Sequence, residues 1–428
     1  MNPKPLALLF STVWPEPDSS AAGVRQMQWV RFLKWAGYEV ILSSPSKPKD
    51  ELQYEVECLP IPLNRSEVRE TLRKLAPSIV LFDRFLLEEQ FGHFVYEECP
   101  LALVLLETED LHFVRRAREK LRHELLNQKE IPKNFYKSDS ALRETASIER
   151  VDFSFVVSSF EEKLLRDEFA LGPDKVKWIP FLYEPVIYAE SLNVSFLNRC
   201  DFSWIGNFRH GPNLDGIRWF LANIWPKIKI SLPRARLHIY GAYPSAEVMN
   251  WSNKKLGIIS HGKANTLDEV FQSVRVNLAP LRYGAGVKGK ILEGFRHGIP
   301  CVSTQIGVEG LLPYEISGLK NQDLEFPGIE ANRETDFADA CVRLYENEAL
   351  WNQKKSLAIK LMKEVYSADA LHPMLLRQIE ALQIRKNNGD LPRWTSKILR
   401  HELINSHKYF SKWIELKETL NKTVDQNH

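Results

Sequence analysis

The sequence predicts an α/β protein with two domains, each built on a doubly wound parallel sheet, and two observations support this fold class. The chain has 428 residues, more than the roughly 250–300 at which a single hydrophobic core stops growing. Short apolar runs alternate with segments of helical spacing in both halves of the chain, which is typical of parallel strands joined by helices. We expect an N-terminal domain over residues 1–185 and a C-terminal domain over residues 198–365.

Composition and charge argue against several classes of protein. The chain has 44% hydrophobic and 26% charged residues, and its net charge of +2 gives no general attraction to nucleic acid. The five cysteines lie far apart without a CxxC pair, which argues against a zinc site or a disulfide framework and predicts free thiols. No apolar run approaches the roughly 20 residues of a membrane-spanning helix. We therefore expect a cytoplasmic protein.

The N-terminal half begins with a strand, a long loop and a helix. Leu6 to Phe10 is a short apolar run, helical spacing starts at Val24, and Glu39 to Leu42 predicts the second strand. The loop between strand and helix is longer than a tight turn requires. It is either a surface loop shaped by its prolines or a loop that Gly23 allows to approach a ligand.

Two further apolar runs, Pro77 to Asp83 and Leu101 to Leu106, predict buried parallel strands. The segment ETEDLHF follows the second run and predicts the start of a helix. Thr108 would cap this helix, and Glu109 and Asp110 would lie in its first turn, where acidic side chains complement the helix dipole.

The rest of the N-terminal half contains one charged segment and one further apolar run. The run from Arg115 to Lys137 is charged and rich in arginine, and it predicts a solvated helix or a cover on one side of the domain. Val151 to Ser158 predicts another strand. Trp178 to Cys200 lacks periodicity and contains prolines, so we expect it to be the interdomain linker.

The segment from Val276 to Leu311 reads VNLAPLRYGAGVKGKILEGFRHGIPCVSTQIGVEGL. It predicts a strand from Val276 to Leu281, a glycine loop, a helix and a strand from Cys301 to Thr304. Such a loop lies at the carboxyl edge of a parallel sheet, where α/β proteins bind ligands. Glycines let backbone N–H groups approach an anion, and Lys288, Lys290 and the helix N-terminus add positive charge. The loop therefore suits a diphosphate, although the loop alone would also fit an ordinary solvated turn.

This segment resembles the donor-binding segment of GT-B glycosyltransferases, specifically the family-4 type that use nucleotide sugars. In that family two glutamates stand eight positions apart around a glycine loop, and the second touches the ribose of the donor. Glu293 matches the second glutamate. The first position falls on Ala285, so the resemblance is to the branch with a Gly-Ala-Gly-Val-Lys loop. It implies a GT-B fold of two facing Rossmann-like domains, with the donor on the C-terminal domain and the acceptor mainly on the other.

The resemblance also assigns roles to residues that follow the strand predicted at Leu101 to Leu106 and to residues after the linker. Family members place a His-Asp pair at the positions of Glu109 and Asp110, where the histidine contacts the donor sugar and the aspartate braces the loop. His112 could substitute for the missing histidine. Where Asn207 stands, family members usually carry an arginine for the diphosphate.

The candidate site residues fall into two groups. The candidate catalytic residues are Glu109, Asp110, His112 and Lys288. The candidate donor-binding residues are Gly23, Asn207, Arg209, Arg282, Gly284, Gly286, Val287, Lys288, Glu293 and Glu309. Among the second group, we expect Arg209, Arg282 and Lys288 together to supply the charge that the missing arginine would provide.

Beyond the C-terminal domain the chain is predicted to be helical. Residues 366–388 resemble the helix that crosses back onto the N-terminal domain in this fold, and Leu371 to Leu382 have the required spacing. Residues 389–428 predict an extra helical tail that is amphipathic and mildly basic. This tail either packs on the protein itself or contacts the cytoplasmic face of a membrane.

The predicted function is the transfer of a hexose from a nucleoside-diphosphate sugar to an acceptor hydroxyl, in glycan or polysaccharide synthesis. The acceptor could be a glycan, a lipid-linked molecule or another hydroxyl compound, and no nucleic-acid partner is expected. The chain contains no Asp-x-Asp motif, so no metal cofactor is expected, and the resemblance implies retention of configuration. Two alternatives stay open: a catalytically silent GT-B binding protein, because of Ala285 and the missing histidine, and a nucleotide-sugar epimerase of the same fold.

Overall fold

The structure is a computed structural model that describes residues 4–47, 54–122, 131–184, 192–313 and 324–425. It contains two parallel sheets, each flanked by helices, as the sequence predicts. The first sheet has the order β3-β2-β1-β4-β5-β6-β7, and the second has the order β10-β9-β8-β11-β12-β13. Both orders reverse direction beside their first strand, which is the doubly wound arrangement that opens a ligand crevice at the carboxyl edge.

The strands of the first sheet are β1 Leu6–Phe10, β2 Glu39–Ser44, β3 Glu57–Pro60, β4 Ile79–Asp83, β5 Leu103–Glu107, β6 Phe153–Val156 and β7 Val176–Trp178. Its helices are α1 Ala21–Trp35, α2 Glu67–Leu75, α3 Phe85–Glu98, α4 His112–Leu121, α5 Asp139–Arg150 and α6 Ser159–Phe169, with a 3-10 turn at Lys133–Lys137. The central strands are buried on both faces because helices cover both sides of the sheet.

The strands of the second sheet are β8 Cys200–Ile205, β9 Leu237–Tyr240, β10 Ile258–Gly262, β11 Val274–Ala279, β12 Cys301–Ser303 and β13 Gly328–Glu330. Its helices are α7 Gly211–Trp219, α8 Trp225–Ser231, α9 Ala246–Met249, α10 Leu267–Ser273, α11 Gly289–Arg296, α12 Gln305–Val308, α13 Glu334–Glu346 and α14 Glu348–Glu364, with a π-helical turn at Phe220–Ile224 and a 3-10 turn at Phe196–Asn198. Strand β11 ends one residue before Pro280, which cannot donate a ladder hydrogen bond.

One hydrophobic core joins the two halves of the molecule. Apolar residues of the first sheet and its helices form a continuous cluster with Val287, Ile291 and Leu311 from the second half. The halves are therefore packed against each other along the edges where their strands end.

The two C-terminal helices both return to the first half. Helix α15, Ala368–Asn387, crosses back as the resemblance implies, and Leu375 and Leu382 join the core on one face of the first sheet. Helix α16, Trp394–Asp425, follows it along the outside of α3 and α5. Asp152, which is fully buried, accepts hydrogen bonds from Lys386 of α15 and Arg400 of α16, each at 2.9 Å. No helix in the described part of the chain is long and apolar enough to cross a bilayer.

Two local predictions were wrong. The helix expected to begin after Thr108 begins at His112 instead, and Thr108 donates to the carbonyl of Phe155. The cap is supplied from a distant element, because the Glu144 carboxylate accepts the backbone N–H groups of His112 and Phe113 at 3.0 and 3.1 Å. A local pattern cannot reveal such a cap.

The second wrong prediction concerns Gly23. It does not lie in a loop, because α1 begins at Ala21 and is capped by Ser20, whose hydroxyl accepts the Gly23 N–H at 3.0 Å. A Cβ at Gly23 would lie 2.5 Å from the backbone of Glu16. The glycine therefore allows the preceding loop to fold tightly against the helix, and its role in donor binding stays a prediction.

Candidate functional site

The carboxyl edges of the two sheets face each other, and the glycine loop lies between them. The backbone N–H of Gly286 donates to Glu161 of the first half at 2.7 Å. The Tyr243 hydroxyl donates to Glu16 at 2.5 Å, and the Asn207 amide donates to the carbonyl of Ser19 at 3.4 Å. The loop thus points into the gap between the halves, where the sequence predicts a ligand site.

The conformation of the loop requires glycine at its centre. Gly286 has a φ of +64°, and an added Cβ would lie 2.8 Å from Cβ of Asp110 in the first half. Gly284 also has a positive φ, of +146°. Any side chain at Gly286 would be strained and would push the two halves apart.

Lys288 lies at the N-cap of α11 and is held by its own loop. Its ammonium donates to the carbonyls of Ala285 and Gly286 at 3.0 and 2.5 Å. Withdrawal from water lowers the pKa of Lys288 to about 8. The side chain remains mostly charged at neutral pH, but it does not extend into an open pocket.

Lys290, two residues further along the chain, is predicted from the sequence only as a source of positive charge. Its ammonium donates to Asn213 Oδ1 at 2.7 Å and lies 4.7 Å from the ring centroid of Trp204. Burial lowers the pKa of Lys290 to about 7. Asn213 in turn donates to the carbonyl of Asn207 at 3.0 Å, so Lys290 is connected to the loop that follows β8.

The two predicted arginines each have another partner. Arg282 forms a two-pronged pair with Asp215 of α7, in which Nε lies 2.8 Å from Oδ2. The Arg209 guanidinium lies 3.7 Å from the ring centroid of Tyr243. In this arrangement the charge of Arg282 is compensated by a carboxylate.

Glu293 lies on α11, as predicted, and has a partner on the same helix. Its carboxylate accepts from Arg296 at 2.8 Å, in an i,i+3 pair. Val287, next to Lys288, is buried in the core that joins the halves. Of these two residues, only Glu293 has a polar group that could meet a ligand.

Glu309 makes a contact that the sequence did not predict. Both of its carboxylate oxygens accept from Arg118 of α4, at 2.7 and 2.8 Å. Arg118 is 1% exposed and also donates to the carbonyl of Gly284 at 2.9 Å. The expected solvated helix therefore carries a buried arginine that ties the first half to both the glycine loop and the Glu309 segment.

Glu161 is the second important residue that sequence reasoning missed. Its carboxylate accepts the N–H groups of Gly286 and Leu111 at 2.7 and 3.1 Å. Burial, followed by the charge of Asp110, raises the pKa of Glu161 to about 8. An internal acidic side chain thus takes the backbone donor that would otherwise be offered to an anionic ligand. The only sequence signal was the Ser-x-x-Glu spacing after β6, which is also an ordinary helix-capping pattern.

Glu109 lies where β5 ends, in a strained and buried position. Its φ is +62°, and Arg84 at the end of the neighbouring strand β4 has a φ of +68°. Burial, together with the charge of Asp83, raises the pKa of Glu109 well above its usual value. Within the described residues, Oε1 of Glu109 has no hydrogen-bond partner. Two strained residues at adjacent strand ends are typical of a functional site.

Asp110 and His112 lie beside Glu109 and contact each other. His112 Nε2 is 3.5 Å from Asp110 Oδ1, and Asp110 also pairs with Arg115. Burial acts to raise the pKa of Asp110, but Arg115 and His112 lower it below its usual value. Burial lowers the pKa of His112 to about 4, so its imidazole is neutral at pH 7.

The fold and this edge-to-edge site define a class of protein. Solved structures with the same architecture are GT-B glycosyltransferases, and the present chain has the GT-B fold. Sucrose-phosphate synthase from Thermosynechococcus elongatus aligns with a TM-score of 0.60 at 17% identity, over 88% of this chain and 100% of its own. HepE from Anabaena, in complex with UDP and glucose, aligns with a TM-score of 0.63 at 10% identity, over 88% and 99%. WaaG, a glycosyltransferase involved in lipopolysaccharide biosynthesis, aligns with a TM-score of 0.57 at 12% identity, over 86% and 99%.

Sequence comparisons identify similarity over part of the chain. Residues 199–347 match the family model described as Glycosyl transferases group 1, and this range contains the glycine loop and α11. A curated relative, described as an uncharacterized 44.6 kDa protein in the cps region of Klebsiella pneumoniae, is 26% identical over 140 residues. That match covers 31% of this chain and 36% of the relative, so it spans little more than a third of the relative's length.

Proposed function

We propose that the protein is a glycosyltransferase that moves a hexose from a nucleoside-diphosphate sugar to an acceptor hydroxyl, in glycan or polysaccharide synthesis. One observation carries this proposal. The glycine loop and the N-terminus of α11 face the other half of the molecule at the carboxyl edge of the second sheet, within the residues that match the Glycosyl transferases group 1 model. The complex of HepE with UDP and glucose supports a donor of this chemical class.

The diphosphate would bind at the loop and at the start of α11. Backbone N–H groups there would bind phosphate oxygens, as helix N-termini do in other phosphate sites. Lys288 and Lys290 are next to this position, and Glu293 would accept hydrogen bonds from the ribose. Since the Glu161 carboxyl group accepts the N–H of Gly286, the donor would have to displace this side chain, and the halves would separate slightly when the donor enters.

The charge that develops on the leaving diphosphate would be stabilised by lysine side chains and the helix dipole, without a metal ion. Fixed groups of this kind stabilise a transition state because they need no reorganisation during the reaction. We propose that configuration is retained and that the departing phosphate takes the acceptor proton. No side chain of this chain needs to form a covalent intermediate in this scheme.

The sugar would lie against Glu109, Asp110 and His112. The raised pKa of Glu109 favours its neutral form, and a neutral carboxyl group can donate a hydrogen bond to a sugar hydroxyl as well as accept one. Asp110 would orient the neutral imidazole of His112. The acceptor hydroxyl would approach from the first half, in the cytoplasm.

The test is a panel of nucleotide sugars, in which melting temperature and product formation are measured together. A ligand that binds only the folded protein raises its melting temperature by mass action. We expect one donor to stabilise the protein and to release its nucleoside diphosphate when an acceptor is added. No stabilisation by any nucleotide sugar would refute the proposal.

The same panel separates the two alternative functions. Stabilisation without transfer or hydrolysis identifies a catalytically silent binding protein, which is favoured by Ala285 and by the Glu161 carboxylate on the loop. Conversion of the nucleotide sugar without an acceptor identifies an epimerase.

A further inference from the structure

We propose that the distal part of helix α16 is a docking surface for an anionic lipid bilayer. The surface consists of Tyr409, Phe410, Lys412, Trp413, Leu416 and Lys417, here called the aromatic patch. Its four apolar side chains are between 55% and 69% exposed. Both lysines are exposed as well.

The aromatic patch is not the face by which α16 packs on the protein. That face is formed by residues such as Ser396, Arg400 and Leu403, which are buried against the first half. Lys175 donates to Ser396 Oγ at 3.1 Å, and Ser66 donates to Glu415 at 2.8 Å near the distal end. The helix is thus held flat along the domain, and its outward side carries large apolar groups that the fold does not use.

The composition of the patch fits the boundary between lipid headgroups and acyl chains. Tryptophan and tyrosine are enriched at that depth because each has an apolar ring and a polar group. Phe410 and Trp413 stack with ring centroids 6.1 Å apart, and the Lys417 ammonium lies 5.1 Å from the Trp413 centroid. Lysine side chains can extend from such a surface to anionic headgroups while their aliphatic stems stay on the apolar side. A helix held flat on a domain would lie in the interface plane.

The charge of the aromatic patch favours an anionic bilayer over a second copy of the chain as the partner of this surface. A two-fold dimer through this surface would bring the same patch of both copies together. Lys412 and Lys417 of both copies would then lie in one interface, and like charges brought together oppose association. An anionic membrane offers the complementary charge, and each lysine near its surface adds to the attraction.

The test is co-sedimentation of the full chain with vesicles of phosphatidylcholine alone and of phosphatidylcholine with phosphatidylglycerol. We expect binding to the anionic vesicles, weaker binding to the neutral ones, and at least about tenfold weaker binding for the double variant Phe410→Ala/Trp413→Ala. A second variant, Lys412→Glu/Lys417→Glu, keeps the rings and should lose the preference for anionic vesicles. The control is Leu101→Ala/Ile230→Ala, which removes two apolar side chains that are 87% and 81% exposed elsewhere and should bind as the wild type does.

Three results would overturn this inference. The first is a wild type that sediments with neither kind of vesicle. The second is undiminished vesicle binding by both patch variants. The third is a concentration-dependent dimer, measured by light scattering, that the Phe410→Ala/Trp413→Ala change abolishes. None of these measurements depends on sugar transfer, so they can fail or succeed independently of the proposed function.

Discussion

Replacement of Arg118 by methionine tests the contact that ties the two halves together. The change removes three hydrogen bonds, two to Glu309 and one to the carbonyl of Gly284, from a side chain that is 1% exposed. Glu309, with only 11% of its side chain exposed, loses both hydrogen bonds from the guanidinium and keeps Lys288 as its nearby positive charge. Loss of one partner from a buried ion pair costs about 3–5 kcal/mol. Because Glu309 keeps some contact with water, we expect the lower end, about 3 kcal/mol.

The assay is equilibrium unfolding in urea, followed by tryptophan fluorescence and far-ultraviolet circular dichroism. Glu309→Gln and the double variant Arg118→Met/Glu309→Gln complete a double-mutant cycle. Since the double variant leaves no unpaired charge, we expect its loss of unfolding free energy to be about 2 kcal/mol smaller than the sum of the losses of the two single variants. Additive costs within about 0.5 kcal/mol would refute the reasoning, because they would mean that the two residues do not interact.

A matched control exists on the surface of the second half. Arg218 and Glu247 also form a two-pronged pair, through Nε and one terminal nitrogen at 2.9 and 2.6 Å, but both side chains are 50% exposed. Exposed pairs contribute about 0–1 kcal/mol. We therefore expect Arg218→Met to change the stability by less than about 1 kcal/mol. The difference between the two arginine variants measures the effect of burial.

Four further predictions concern the glycine loop and its neighbours. Lys288→Ala should lower the rate of sugar transfer about 10²–10³-fold while its circular dichroism spectrum stays that of the wild type, and unchanged kinetics would remove this lysine from the mechanism. Glu293→Ala should raise the KM for the donor, whereas an unaltered KM would mean that the ribose binds elsewhere. The folded-state pKa of Glu161 is raised from 4.5 to about 8, so the contribution of Glu161 to stability is lost as the pH rises through this interval. The urea midpoint of Glu161→Gln, relative to that of the wild type, should therefore increase between pH 5 and pH 8. The opposite trend would contradict the assignment. Gly286→Ala should abolish the thermal shift caused by the donor. The control is Gly37→Ala, which is also at positive φ but has nothing within 4 Å of the added Cβ. This variant should lose only about 1–2 kcal/mol of stability through backbone strain and should keep the thermal shift.

The parts of the fold that depend on local pattern could be predicted from the sequence. Leu6–Phe10 is apolar along its whole length, and Ile79–Asp83 is apolar up to its final residue, Asp83. This pattern identifies a strand buried on both faces without knowledge of its neighbours. The glycine loop and α11 could be located for the same reason, since glycine, lysine and helical spacing occur within a few residues. The edge-to-edge arrangement of the halves then follows from the resemblance.

The contacts that decide how the loop is held could not be predicted in this way. Arg118 and Glu309 are 191 positions apart, and Glu161 and Gly286 are 125 positions apart. In the sequence, Arg118 is one cation in a charged run and Glu161 is one acid in the first turn of a helix. Their burial depends on the packing of α4 and α6 against the second half, which no local pattern encodes. The N-terminus of α4, capped by Glu144 from α5, is a third case.

The buried Asp152 has a consequence for how the chain is made. Its two cationic partners, Lys386 and Arg400, belong to the last elements of the chain, whereas Asp152 itself directly precedes β6 of the first sheet. During synthesis on the ribosome, Asp152 of the first half therefore lacks both ion pairs until the whole second half has been translated. The first half is therefore translated first but completed last. A chain that ends before residue 400 leaves the Asp152 carboxylate of the first half without its partner Arg400.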